Sequence, residues 1–188
     1  EAKTCRAPCL PSPLTLPMIS LDNAATPPVA PRGGEAMLPY LRDSFGNPAS
    51  STHAFGVTAA RAVERAREQV ADLLHCQSGE IVWTSGATES NNLASKGAAL
   101  TSGAHGRHLI TVATEHKAVL DTMRHLAQQG YSVTVMAPER NGLISLEKFA
   151  NELRPDTVLA SVMLVNNETG VIQDIAALRT LCRERGVL

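Results

Sequence analysis

The chain has 188 residues, 44% of them hydrophobic and 19% charged, which is the composition of an ordinary globular protein with one sizeable core or a large piece of one. With 17 basic against 18 acidic residues the formal net charge is -1, so no global field favours nucleic acid or an anionic membrane surface, and a small-molecule or protein partner is expected. No run of about 18 apolar residues offers a membrane span, the first residues lack the layout of a secretory signal, and the 4 cysteines (Cys5, Cys9, Cys76, Cys182) form neither a CxxC pair nor a disulfide scaffold, which predicts a reducing, cytoplasmic setting.

Residues 1–17 hold four of the 11 prolines (Pro8, Pro11, Pro13, Pro17) without any period, and are expected to be a disordered extension carrying Cys5 and Cys9 as unpaired thiols. A short apolar stretch, Met18 to Leu21, leads into a turn at Asp22 and Asn23. Ala30 to Asp43 has helical spacing through Met37, Leu38 and Leu41, and Ser44 to Ser51 is a loop by composition. Val57 to His75 repeats apolar residues at Val63, Ala66, Val70, Leu73 and Leu74 with charges on other faces, the pattern of a long amphipathic helix.

Strand-like and helix-like segments then alternate. The predicted pairs are Ile81 to Ser85 with Thr88 to Thr101, Leu109 to Ala113 with Lys117 to Gln129, Ser132 to Ala137 with Leu146 to Leu153, and Val158 to Val165 with Ile175 to Arg185. Short strands that are apolar on both faces and separated by helices predict an α/β fold, a mainly parallel sheet with helices on both faces. Gly186 has the residue type of a left-handed helix cap, and Val187 and Leu188 open another apolar run, expected to start the next strand.

Three segments combine chemistry with position. Ser85-Gly86-Ala87-Thr88 turns directly into a helix; small residues admit a ligand close to the backbone, and the helix dipole with the Thr88 hydroxyl favours a phosphate. The segment lacks the Lys-Ser/Thr ending of a nucleotide P-loop and the full GxGxxG of a dinucleotide fold, and a plain capped turn is the alternative. In Thr114-Glu115-His116-Lys117, His116 would lie near Thr88 if both follow parallel strands, where an imidazole stacks on a flat ring or moves a proton; a structural histidine is the alternative. Asn166 and Asn167, in Val165-Asn166-Asn167-Glu168-Thr169-Gly170, offer uncharged donors and acceptors suited to a phenolate or carboxylate, or simply a turn.

The strings Leu21-Asp22-Asn23-Ala24-Ala25-Thr26-Pro27, Phe45-Gly46-Asn47-Pro48-Ala49-Ser50, Thr84 to Ala94, Thr114 to Leu120 and Val165 to Gly170, in this order and spacing, resemble those of cysteine desulfurases of the iron–sulfur-assembly type, over about residues 18 to 188. The resemblance implies a homodimeric PLP-dependent transferase of fold type I. Such an enzyme takes sulfur from L-cysteine, leaves L-alanine and a persulfide on an enzyme cysteine, and supplies an iron–sulfur scaffold or other sulfur acceptor. It implies that Ala87 and Thr88 bind the phosphate of pyridoxal 5'-phosphate, that His116 stacks on the pyridine ring and acts in acid–base steps, and that Asn167 contacts the phenolic oxygen and the substrate carboxylate. It also implies that residues 18–56 contribute to a small domain and active-site loops, and that 57–188 are part of the large cofactor domain.

In the family the aspartate facing the pyridine nitrogen, the Schiff-base lysine, the persulfide cysteine and the arginine that clamps the carboxylate all come after the stretch matched here. Lys3, Lys96, Lys117 and Lys148 do not fall in the lysine motif, and Cys76 and Cys182 do not fall at the persulfide position. The 188 residues are therefore expected to be an N-terminal fragment, inactive alone. Selenocysteine lyase, another class-V aminotransferase-like enzyme and a non-catalytic truncated module are the alternatives.

Overall fold

In a computed structural model that describes residues 27–102 and 105–188, the elements are α1 (Pro31–Arg42), α2 (Ala54–Leu74), a 3-10 turn at Ser78–Glu80, α3 (Ala87–Thr101), β1 (His108–Val112), α4 (Lys117–Gln128), β2 (Ser132–Met136), α5 (Leu146–Glu152), β3 (Thr157–Ser161) and α6 (Ile175–Glu184). The expected proline-rich extension, the stretch from Met18 to Leu21 and the turn at Asp22 and Asn23 lie outside the described residues. The chain divides into two compact units, Glu1–Val70 and Ala71–Leu188, with α2 running across the division.

In the first unit, α1 opens on Pro31, whose fixed φ suits a first helical turn, and its apolar side chains Met37, Leu38 and Leu41 are exposed. The loop after it is held against the start of α2 by backbone proximity. A Cβ on Gly46 would stand 2.1 Å from the Phe55 carbonyl oxygen, and one on Gly56 would stand 1.8 Å from that of Ser50, so only glycine fits at either position. His53 completes this junction by accepting the Gly56 N–H at Nδ1, 3.2 Å away, while Phe45 stacks on Phe55 with ring centroids 5.8 Å apart.

The second unit is built on a three-stranded sheet of order β2-β1-β3, parallel throughout. Central β1 is buried along its whole length, and its alternate residues serve two cores. Leu109 points to one side, where Ala99 of α3 and Val119, Met123 and Leu126 of α4 cover it. Ile110 and Val112 point to the other, where Phe149 of α5 and Leu178 and Cys182 of α6 pack. Helices thus cover both faces, as the doubly apolar strands predict.

Between β1 and β3 the chain leaves the strands' carboxyl ends toward opposite faces, into α4 on one side and toward α6 on the other. An open parallel sheet forms its ligand crevice at such a divergence. At the opposite, amino end of the strands, His108 is fully buried and spans the sheet: its Nδ1 lies 2.7 Å from Thr157 Oγ1 on β3 and its Nε2 lies 2.9 Å from Thr134 Oγ1 on β2.

Two local expectations resolve differently. Ile81 to Ser85 forms no strand: its β-branched and aromatic residues have the right propensity, but that propensity is set by context, and Val82 and Trp83 are exposed. The stretch from Val158 to Val165 stops as a strand at Ser161, and Val165 instead forms an antiparallel bridge with Ile172. After Gly186, whose positive φ of 68° closes α6, Leu188 exchanges backbone hydrogen bonds with Val158 and Ala160, at 3.2 and 2.8 Å, in the parallel pattern. Among the described residues, no helix is long and apolar enough to cross a membrane.

Candidate functional site

The first loop is shaped by its own side chains. Glu89, in the first turn of α3, accepts both the Ser85 N–H (2.7 Å) and the Ser85 hydroxyl (2.5 Å), and these bonds hold its carboxyl below the ordinary pKa of a glutamate. Thr84 donates to the Gly86 carbonyl at 3.1 Å and lies 2.5 Å from the Ser90 hydroxyl. Gly86 is extended, and a Cβ there would meet nothing within 4 Å. Ala87 and Thr88 are exposed at the positive end of the helix, and among the described residues their N–H groups have no acceptor.

The direction of α3 decides where that end lies. Tyr131, just before β2, donates its hydroxyl to the Ala99 carbonyl at 2.8 Å, pinning the end of the helix beside the strands' amino termini. Ala87 begins the helix twelve residues before that anchor, about 18 Å along the axis, a length that suits a start near the strands' carboxyl side.

The second loop follows β1. His116 is the N-cap of α4 and accepts the Ala118 N–H at Nδ1, 3.1 Å away, so the neutral ring carries its proton on Nε2. The ring is exposed. Its neighbour Glu115 is only 8% exposed, and its Oε1 has no hydrogen-bond partner among the described residues. Burial raises the Glu115 pKa above its ordinary value, against the lowering pull of the Met163 and His116 N–H groups.

The third loop, after β3, is a hairpin closed by the Val165–Ile172 bridge, the Asn166 N–H to Val171 carbonyl bond (2.9 Å) and the Gly170 N–H to Asn166 carbonyl bond (2.9 Å). Its two amides, indistinguishable in sequence, differ in role. Asn166 is half-buried: Oδ1 accepts the N–H groups of Glu168 (3.0 Å) and Thr169 (2.8 Å) and the Thr169 hydroxyl (3.0 Å), while Nδ2 donates to the Thr114 carbonyl at 2.8 Å. Asn167 is exposed and enters no hydrogen bond among the described residues. The hairpin base is fixed by buried Gln173, which accepts the Ile144 N–H (2.9 Å) and donates to the Gly142 carbonyl (2.8 Å).

The loop bearing His116 and the loop bearing Asn167 are therefore tied directly, through Thr114 and Asn166. Among the described residues, no hydrogen bond joins either to the loop bearing Ala87 and Thr88. Reasoning on sequence passed over Glu89, Glu115 and Gln173. Glu89 had a legible signal, an acidic residue in the first turn after a Ser-Gly-Ala run, whereas Glu115 and Gln173 are set apart only by burial.

A model of the class-V aminotransferase family matches residues 19–188. The chain belongs to that family. It is 63% identical over 171 residues to cysteine desulfurase IscS of Methylobacillus flagellatus, covering 90% of this chain and 42% of that protein. It is 58% identical over 171 residues to cysteine desulfurase IscS of Dechloromonas aromatica, with the same coverage of 90% and 42%. Among solved structures, a NifS-like protein superposes with a TM-score of 0.82 at 38% identity, over 87% of this chain and 44% of that one. A structure of SspA in complex with cysteine does so with a TM-score of 0.82 at 41% identity, over 87% and 47%. The chain thus spans less than half the length of these relatives.

Proposed function

We propose that the full-length protein containing this chain is a PLP-dependent cysteine desulfurase that converts L-cysteine to L-alanine, leaves the sulfur as a persulfide on an enzyme cysteine and passes it on for iron–sulfur cluster assembly. The observation that carries this reading is the 63% identity to a cysteine desulfurase over 171 residues that include all the described site loops. The cytoplasmic setting, homodimeric assembly and a scaffold or acceptor partner belong to the same proposal, as do a small-domain role for residues 18–56 and a large-domain role for 57–188.

The donor set fits the cofactor. Ala87 and Thr88 present two unclaimed N–H groups and a hydroxyl at a helix's positive end, with open space at Gly86, which suits a phosphate dianion. His116 offers an exposed flat ring, and Asn167 an uncommitted amide for the phenolic oxygen and the substrate carboxylate. When bound, PLP supplies the electron sink for bond breaking at the substrate. The work of the chain's own residues is binding and orientation. His116 donates at Nε2 as it stands, but accepting a further proton requires Nδ1 and the release of the Ala118 N–H. An acid–base step at this residue is thereby coupled to loosening the first turn of α4.

The test is reconstitution of the full-length apoprotein with PLP and assay of alanine released from L-cysteine and from L-selenocysteine. Turnover of cysteine, lost on Thr88→Val with His116→Ala, is the expected result. PLP-independent turnover, or release from selenocysteine alone, overturns the reading. The 188 residues alone are expected to release no alanine.

A further inference from the structure

Asn166 is chemically identical to Asn167, yet every hydrogen bond the structure gives its side chain is internal to the protein. Its Oδ1 gathers the hairpin turn by accepting from Glu168 and Thr169, and its Nδ2 reaches out of the hairpin to the Thr114 carbonyl at 2.8 Å, two residues before His116. The far end of the hairpin is held independently by Gln173 on Gly142 and Ile144. With both ends fixed, the remaining freedom of Asn167 relative to His116 runs through the Asn166 amide. A misplacement of about 1 Å in a reacting constellation costs on the order of a hundredfold, and an exposed hairpin tip has little else to hold it.

We propose that Asn166 is a positioning residue, a tether that sets Asn167 against His116 by joining the β3 hairpin to the β1–α4 turn. It acts through Asn167 and touches no ligand itself. The inference rests on the reading that His116 and Asn167 face one bound PLP and its substrate.

Asn166→Asp isolates the tether. An aspartate keeps the acceptor that Glu168 and Thr169 use, and replaces the single donor to Thr114 with an oxygen that repels the carbonyl. In the full-length protein we expect Asn166→Asp to weaken PLP binding to the apoprotein about tenfold in a fluorescence titration and to raise KM for L-cysteine about tenfold, one hydrogen-bonded contact being worth about that factor. Amide exchange at Glu168 and Thr169 should stay as slow as in the wild type, because the hairpin's own bonds survive. Since Asn166 acts through Asn167, adding Asn166→Asp to Asn167→Ala should cost nothing further. If Asn166→Asp fails to fold, Asn166→Ser keeps a short acceptor for the turn but cannot reach Thr114, and its cost should likewise vanish on Asn167→Ala.

Costs that add in the double variant overturn the proposal, as do unchanged PLP affinity and KM with a fully formed hairpin. A wild-type protein that binds no PLP and releases no alanine overturns the functional reading and the tether with it. An active wild type indistinguishable from Asn166→Asp overturns the tether alone.

Discussion

Replacing His108 with leucine removes a side chain that bridges all three described strands. The ring is fully buried, with Thr157 Oγ1 at 2.7 Å and Thr134 Oγ1 at 2.9 Å. Each such bond contributes about 1 kcal/mol net, and a hydroxyl left dry and unpaired costs about 1–3 kcal/mol. Thr157 keeps the Arg154 N–H at 2.8 Å and half-buried Thr134, on the edge strand, can turn to water, so the loss is chiefly that of two hydrogen bonds, about 1–3 kcal/mol at pH 8.

The loss should also depend on pH. Burial, then the positive charge of Arg154, lower the His108 pKa below 6.5, outweighing the opposing pull of Asp156 and Glu152. The folded protein therefore resists a proton that the unfolded chain accepts. Wild-type stability from this group is complete above 6.5 and falls as pH drops toward the lowered folded value, by at most about 1.4 kcal/mol per pH unit. The leucine variant has no such slope. Urea denaturation of the full-length protein at pH 8 and 5.5 should show a wild-type advantage that shrinks at the lower pH. A difference below about 0.5 kcal/mol, or two parallel pH profiles, refutes the argument.

Glu115→Gln should stabilise the protein slightly at pH 8 and leave it unchanged near pH 4. The raised carboxyl pKa means that this group's contribution is full below 4.5 and is lost as pH rises through the folded value; thermal melts at both pH values check the sign. Phe149→Ala, at a fully buried side chain packed with Ile110 and Leu178, should cost about 3–5 kcal/mol in chemical denaturation. Glu89→Ala frees the Ser85 N–H and hydroxyl and should weaken PLP binding to the apoprotein while leaving its melting temperature nearly unchanged, readable in one titration and one melt.

How far the sequence carried this picture depends on whether a signal was local. The parallel sheet was legible because Leu109 on one face and Ile110 and Val112 on the other are all apolar, as suits a strand covered on both faces. Lys117 to Gln129 and Ile175 to Arg185 fell within a residue of α4 and α6 because both combine apolar spacing with a capping side chain, His116 and Asp174. Ile81 to Ser85 misled because β propensity depends on context more than on the residues themselves, and this segment is not a strand.

The same limit applied to the candidate site. The three loops were visible in the sequence as strand-end and helix-start punctuation. The division of labour between Asn166 and Asn167 was not, since it turns on Thr114, 52 residues away. Glu115 was equally hidden: nothing in a glutamate beside a histidine signals that its side chain is buried.

A crystal structure of the full-length protein with PLP bound would bear on all of this at once. We predict the phosphate on the Ala87 and Thr88 N–H groups, with the His116 ring and the Asn167 amide on the same cofactor molecule. PLP seated at the His108 end of the sheet, or touching only one of these loops, would contradict it.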